Sequence, residues 1–267
     1  MIPMEKDLSQ KTFALVTGAS KGLGKAFAIE LAQKGYNLAL VARSESELDG
    51  ICKQLSNQYG ITAIFLAIDL AESASPEIVL KWVLENDLKI SVLINNAGYG
   101  LWGNFSSLDL AAQMDMCRVN MDTVVKLCHL FIPRMLLEKQ AYMLNVSSTA
   151  AYQAVPTLAI YSATKSFILS FTRALRFENR KSNLSITCLS PGPVDTGFAQ
   201  RAGLDAFSKM AEKFNMKPNE VAKIGLKGMF DHKAEIIPGF TNLISVYANR
   251  ILPKFFIEKM AAGIYKT

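Results

Sequence analysis

The chain has 267 residues, half of them hydrophobic and 19% charged, with 29 basic and 23 acidic side chains for a net charge of +6. This composition supplies a core and excludes a disordered chain. The basic residues are mixed with acids, without the stripe or patch of a nucleic-acid surface, and the charge also suits an anionic small ligand.

Cys52, Cys117, Cys128 and Cys188 are dispersed, and only His129 and His232 stand with them, so a metal cage is not expected. Free thiols of a reducing compartment are the plain reading. The opening MIPMEKDLSQK lacks the apolar core of a secretory signal. No stretch reaches the roughly 20 apolar residues of a membrane span. The expectation is a cytoplasmic protein.

In chain order, branched apolar runs predict strands at 13–17, 37–42, 62–68, 91–95, 141–147 and 185–190. They are near-continuously hydrophobic, as for parallel strands covered on both faces. Helical periods predict helices at 22–34, 45–59, 76–86, a long one at 112–138, and 160–180. Such alternation implies an α/β fold, a parallel sheet with right-handed crossovers. No repeat or linker interrupts it, so 1–267 reads as one domain.

Beyond about residue 190 the rhythm loosens. Residues 195–216 read as a mobile substrate loop with one or two short helices, 218–231 as a helix and 235–238 as a short last strand. The tail, 240–267, suits a cover over the site or a subunit contact better than a helix lying on a membrane surface.

The first strand ends Ala14-Leu15-Val16-Thr17 and enters Gly18-Ala19-Ser20-Lys21-Gly22-Leu23-Gly24, with a helix following. Glycines allow a sharp turn and close ligand approach. The helix N-terminus offers N–H groups and a positive dipole end to a pyrophosphate. The spacing, T-G-x-x-x-G-x-G, departs from G-x-G-x-x-G and also from the Walker pattern, which disfavours an NTPase.

The second strand ends Val41-Ala42-Arg43-Ser44, without the acid that usually holds the ribose 2′-hydroxyl of NAD. Arg43 and Lys21 together favour a 2′-phosphate and hence NADP(H), with NAD(H) as the lesser reading. A plainer and compatible reading makes Ser44 and Glu47 a capping box and leaves Arg43 solvated.

Tyr161 and Lys165, four apart in Tyr161-Ser162-Ala163-Thr164-Lys165, share one helix face. A free phenol titrates near about 10, and a neighbouring ammonium stabilises the phenolate and lowers that value. The product is a general acid/base for carbonyl reduction and alcohol oxidation. Y-x-x-x-K is common on helix surfaces, so its position decides. It follows a strand ending Asn145-Val146-Ser147-Ser148, at the end of an open sheet where ligands bind.

Together these motifs resemble the short-chain dehydrogenase/reductase family from Lys11 to about Gly197. Thr17–Gly24, Asn95-Asn96-Ala97-Gly98, a serine, Tyr161-x-x-x-Lys165 and Pro191-Gly192 occur in family order. The resemblance implies a doubly wound Rossmann-like sheet, usually seven-stranded, and a dimer or tetramer. It implies Tyr161 as acid/base, Lys165 on the nicotinamide ribose, Ser148 (rather than Ser147) orienting the substrate, and Asn120 holding a water in a proton relay. Alone, Asn120 reads as a helix-interior residue paired to the backbone.

The same resemblance places the cofactor on Gly18, Ser20, Lys21, Gly22, Leu23, Gly24, Arg43, Ser44, Asp69, Leu70, Asn96, Ala97, Gly98, Pro191, Gly192, Val194 and Thr196. Asp69 would contact the adenine amine and also suits a helix cap. Asn96, Ala97 and Gly98 would lie against the adenosine ribose while stabilising the central sheet. Thr196 would approach the nicotinamide amide, or simply close a turn. The family uses no metal for hydride transfer.

An oxidoreductase is therefore expected. A cofactor-sensing protein without turnover and a scaffolding subunit built on the tail are the alternatives. Tyr99, Leu101, Trp102, Tyr152, Phe198 and Phe214 are candidates to line a hydrophobic substrate pocket.

Overall fold

The computed structural model describes residues 12–197 and 215–264. Its sheet has seven parallel strands in the order β3-β2-β1-β4-β5-β6-β7. They are β1 (Phe13–Thr17), β2 (Asn37–Ala42), β3 (Ala63–Ala67), β4 (Ile90–Asn95), β5 (Ala141–Val146), β6 (Leu184–Leu189) and β7 (Glu235–Ile236). The doubly wound sheet read from the sequence is thus present. β2, β4 and β6 are buried along their whole length, which is why they read as near-continuous apolar runs. β7 is short: Pro238 follows it and has no N–H for a ladder.

Helices cover both faces. On one lie α1 (Gly22–Gln33), α2 (Glu45–Tyr59) and α7 (Pro218–Phe230), packed through Phe27, Leu31, Leu48, Leu55 and Leu226. On the other lie α3 (Ser75–Glu85), α5 (Thr123–Met135) and α6 (Ala159–Glu178), packed through Val79, Leu127, Phe131 and Ile168. Phe27 and Phe131 are fully buried. Truncating either to alanine should cost about 3–5 kcal/mol.

The strand order reverses between β1 and β4, opening a crevice at their carboxyl ends. A buried ladder stiffens this centre: Asn95 donates to Asn145 Oδ1 at 2.8 Å, and Asn145 donates to Thr172 Oγ1 at 3.0 Å.

One predicted element is corrected. The long helix at 112–138 is divided into α4 (Leu110–Cys117), a π-helical turn (Arg118–Asp122) and α5. The N–H of Thr123 bonds back five residues, to the Arg118 carbonyl. The cause is tertiary: within that turn Asn120 bonds a neighbouring loop, as described below. Such turns often mark functional sites.

The tail forms α8 (Phe240–Ile251) and α9 (Lys254–Ile264). Val246, Ile257 and Ala261 are buried, whereas Phe240, Ile251 and Phe255 are exposed. No described helix is long and apolar enough to cross a membrane. Most of the expected substrate loop, including Phe198 and Phe214, lies outside the described residues. At its margins Asp195 N–H donates to the Met216 carbonyl at 3.1 Å, and Met216 N–H donates to Pro193.

Candidate active site

Backbone conformation builds the turn after β1. Gly18 and Gly22 have φ of +65° and +51°, the left-handed region that favours glycine. A Cβ on Gly18 would stand 2.9 Å from Asn96 Nδ2, and one on Gly22 would stand 2.7 Å from Thr196 Cβ. A Cβ on Gly24 would collide with the Gly18 carbonyl. Lys21 is the N-cap of α1 and makes no side-chain cap hydrogen bond, so the first amides of this helix are not closed by a side chain. This narrow, uncapped turn fits a pyrophosphate.

The Asn96–Gly98 turn lies against it. Thr17 Oγ1 accepts from the N–H groups of Asn96 (3.0 Å) and Ala97 (3.1 Å), while Asn96 Nδ2 donates to the Thr17 carbonyl at 2.9 Å. Thr196 reaches Gly22 of the glycine turn from beyond β6, its hydroxyl donating to the Val194 carbonyl at 3.3 Å. Pro191 O accepts from Thr149 N–H, and Gly192 has the Asn242 side chain of α8 directly over its Cα, so the tail crowds this end of β6.

The two cations each have an acidic neighbour. Lys21 and Arg43 do not stand as unopposed charges: Lys21 Nζ lies 2.7 Å from Glu47 Oε1, and Arg43 lies 3.7 Å from Asp69 Oδ2. Nor is the capping box formed, since Ser44 caps α2 without a side-chain cap hydrogen bond. Asp69 is not the cap of α3, whose N-cap is Ala74; its Oδ1 accepts from Ala71 N–H at 2.9 Å. Leu70 is buried, with its carbonyl accepting from Thr123 Oγ1.

Asn120, Tyr161 and Lys165 are brought together. α6 buries both Tyr161 and Lys165. Lys165 Nζ donates to the Val146 carbonyl at 3.0 Å, and burial pulls its pKa down to about 8. Asn120 Oδ1 accepts from Tyr99 N–H at 3.1 Å, and its Nδ2 donates to the Tyr99 carbonyl (2.9 Å) and Thr164 Oγ1 (3.1 Å). Asn120 is therefore paired to backbone, but to the loop after β4 rather than to its own helix. A Cβ on Gly98 would stand 3.0 Å from Asn120 Oδ1 and 3.2 Å from Lys165 Nζ, so glycine keeps that space open.

The two serines separate. Ser147 Oγ donates to the Lys165 carbonyl at 2.7 Å and anchors α6. Ser148 Oγ accepts from Ala150 N–H at 3.1 Å, capping a short 3-10 turn (Thr149–Tyr152). It keeps its own proton for another acceptor.

Met116, Val155, Leu158 and Tyr161 form an apolar cluster with Tyr99, Leu101 and Trp102 packed on it. Tyr152 points elsewhere: its hydroxyl donates to Glu235 Oε1 at 2.5 Å. Sequence reasoning missed Glu47 as a partner of Lys21 and Thr164 as a partner of Asn120. The acid in the turn after Arg43 was the one available signal for the first.

Comparison with known proteins shows the family of the chain. The chain is 35% identical, over 188 residues, to a very-long-chain 3-oxoacyl-CoA reductase of Anas platyrhynchos, covering 69% of this chain and 60% of that protein. The chain thus spans about three fifths of the length of that relative. A short-chain dehydrogenase from Sphingobium yanoikuyae in complex with NADPH superposes with a TM-score of 0.80 at 26% identity, over 90% of this chain and 93% of that one. A short-chain dehydrogenase/reductase from Burkholderia phymatum in complex with NAD gives 0.80 at 25% identity, over 89% and 92%. The family described as short chain dehydrogenase matches residues 12–207, and the chain belongs to it.

Proposed function

We propose that this protein is an NADP(H)-dependent reductase or dehydrogenase acting on a carbonyl/alcohol pair, with Tyr161 as its general acid/base. One observation carries the reading: Asn120 Oδ1 and Lys165 Nζ both face the open space at Gly98, with Tyr161 on the same buried helix face as Lys165. The narrow turn at Gly18–Gly24 and the uncapped start of α1 would hold the pyrophosphate, with Asn96–Gly98 against the adenosine ribose and Thr196 near the nicotinamide. When bound, the nicotinamide supplies or accepts the hydride.

The remaining chemistry belongs to the chain. Ser148 donates its hydroxyl proton toward the substrate oxygen and orients it. Tyr161 gives a proton to that oxygen in reduction and removes one in oxidation. The Lys165 ammonium favours the phenolate form of Tyr161 and binds the nicotinamide ribose hydroxyls. Asn120, fixed to Tyr99 and Thr164, holds a water that refills the proton on Tyr161 by way of Lys165.

The cluster around Met116, Val155 and Leu158 favours a hydrophobic carbonyl compound, and a long acyl chain such as that named for the duck reductase suits it. Support for NADP(H) over NAD(H) comes from Lys21 and Arg43 and from the NADPH-bound relative; an NAD-bound one also exists. The test is NADPH oxidation against a panel of aldehydes, ketones and 3-oxoacyl thioesters. Turnover with a hydrophobic member supports the reading. Tight NADPH binding with no turnover on any member contradicts it.

A further inference from the structure

At the carboxyl ends of β1, β2 and β3, two cations and two anions form two pairs, Lys21–Glu47 and Arg43–Asp69. The pairs differ in quality. Lys21–Glu47 closes to 2.7 Å, the length of a charge-assisted hydrogen bond, and Glu47 is only 32% exposed. Arg43–Asp69 is looser, at 3.7 Å, with side chains 64% and 44% exposed.

Lys21 first, then the hydroxyls of Ser20 and Ser44, holds Glu47 below the ordinary carboxylate range. Those hydroxyls do not complete a well-formed hydrogen bond to its second oxygen, Oε2, which is buried without a partner. The donors that gather here come from two junctions, β1–α1 and β2–α2, whose strands pair directly. They are the donors of an anion site, and the chain fills it with its own carboxylate.

We infer that Glu47 is a built-in competitor for the cofactor's 2′-phosphate, and that it sets the preference of this site between NADP(H) and NAD(H). The inference rests on the reading above, that the adenosine ribose lies at the ends of β1 and β2. A phosphate arriving at Lys21 meets a carboxylate already bonded to it, so the Lys21–Glu47 pair must open or two anions must share one ammonium. A 2′-hydroxyl carries no charge to set against the Lys21–Glu47 pair and meets no such conflict. Lys21 and Arg43 alone would favour NADP(H) strongly; Glu47 brings the two cofactors closer together.

The test measures calorimetric binding of NADP+, NAD+, adenosine 2′,5′-bisphosphate and ADP to the full chain and to Glu47→Gln. Glu45→Gln removes the same charge from the same helix turn and serves as control, and thermal melting verifies that each variant is folded. Glu47→Gln is expected to tighten NADP+ and the 2′,5′-bisphosphate roughly tenfold while NAD+ and ADP hold or weaken. In a Lys21→Met background the same substitution should change NADP+ affinity less than about threefold.

Equal tightening of phosphorylated and unphosphorylated ligands, or the same gain from Glu45→Gln, would reduce the effect to general surface charge and overturn the proposal. Weaker NADP+ binding in Glu47→Gln would overturn it in another way, making Glu47 a residue that positions Lys21. Failure of the parent to bind any of the four nucleotides would instead defeat the cofactor reading, and this proposal with it.

Discussion

Lys165 Nζ lies 5.8 Å from the centre of the Tyr161 ring while it donates to the Val146 carbonyl at the end of β5. The ammonium is thus fixed beside the phenol but buried, and burial lowers its pKa to about 8. The unfolded chain holds this proton up to about 10.4, so between those values the unfolded state binds more protons and stability rises with pH. Activity runs the other way. Below about 8 Lys165 is charged, the state the proposed role requires; above it that charge is lost. We expect kcat/KM for carbonyl reduction to fall through pH 8, measured on the free enzyme. A profile flat to pH 9.5 would exclude this role. Lys165→Met should abolish turnover yet raise stability at pH 7 by up to about 3 kcal/mol, less the lost bond to Val146.

Adjacent serines should give opposite phenotypes. Ser147→Ala removes a 2.7 Å bond to the Lys165 carbonyl, which stays within the helical ladder of α6, and should cost about 0.5–1.5 kcal/mol in urea unfolding, with most activity retained. Ser148→Ala removes only the cap of a single 3-10 turn, so its melting temperature should change little. Its kcat should fall roughly a hundredfold or more, as for loss of a donor to the reacting oxygen. If the two variants exchanged these properties, the assignment of Ser148 would be wrong.

Gly98→Ala is expected to act locally. Its methyl group would press on Asn120 Oδ1 and Lys165 Nζ at 3.0 and 3.2 Å. A displacement of this size should lower kcat at least tenfold. NADP+ affinity should change far less than kcat. Equal losses in binding and turnover would mean that the glycine serves the nucleotide alone.

Much of this was legible in the sequence because local physics and tertiary structure agree there. β2 and β4, buried on both faces, are apolar along their centres, with polar residues only at Asn37, Ser91 and Asn95, and α2 spans the residues its period implied, ending at Gly60 with φ +62°. The long helix failed for the opposite reason. Its apolar pattern continues through 118–122, and only the bonds between Asn120 and Tyr99, 21 positions away in sequence, mark the π turn.

The partners of the charged residues were equally out of local reach. Lys21 and Arg43 are each partnered by an acid 26 residues further along the chain, Glu47 and Asp69, where the sequence suggested a capping box for the first and an adenine contact or a helix cap for the second. Ser147 and Ser148 are alike in local pattern, and only the family spacing to Tyr161 prefers Ser148. The alternation of a strand end turns one into α6 and leaves the other at the crevice.

The most direct measurement is single-turnover carbonyl reduction by Tyr161→Phe, with NADPH affinity determined on the same preparation. The phenyl ring keeps the packing against Met116 and Leu158 and removes only the hydroxyl. The rate should fall by about a thousandfold or more while NADPH affinity stays within roughly threefold. A variant that reduces its substrate at the parent's rate would show that the proton comes from elsewhere.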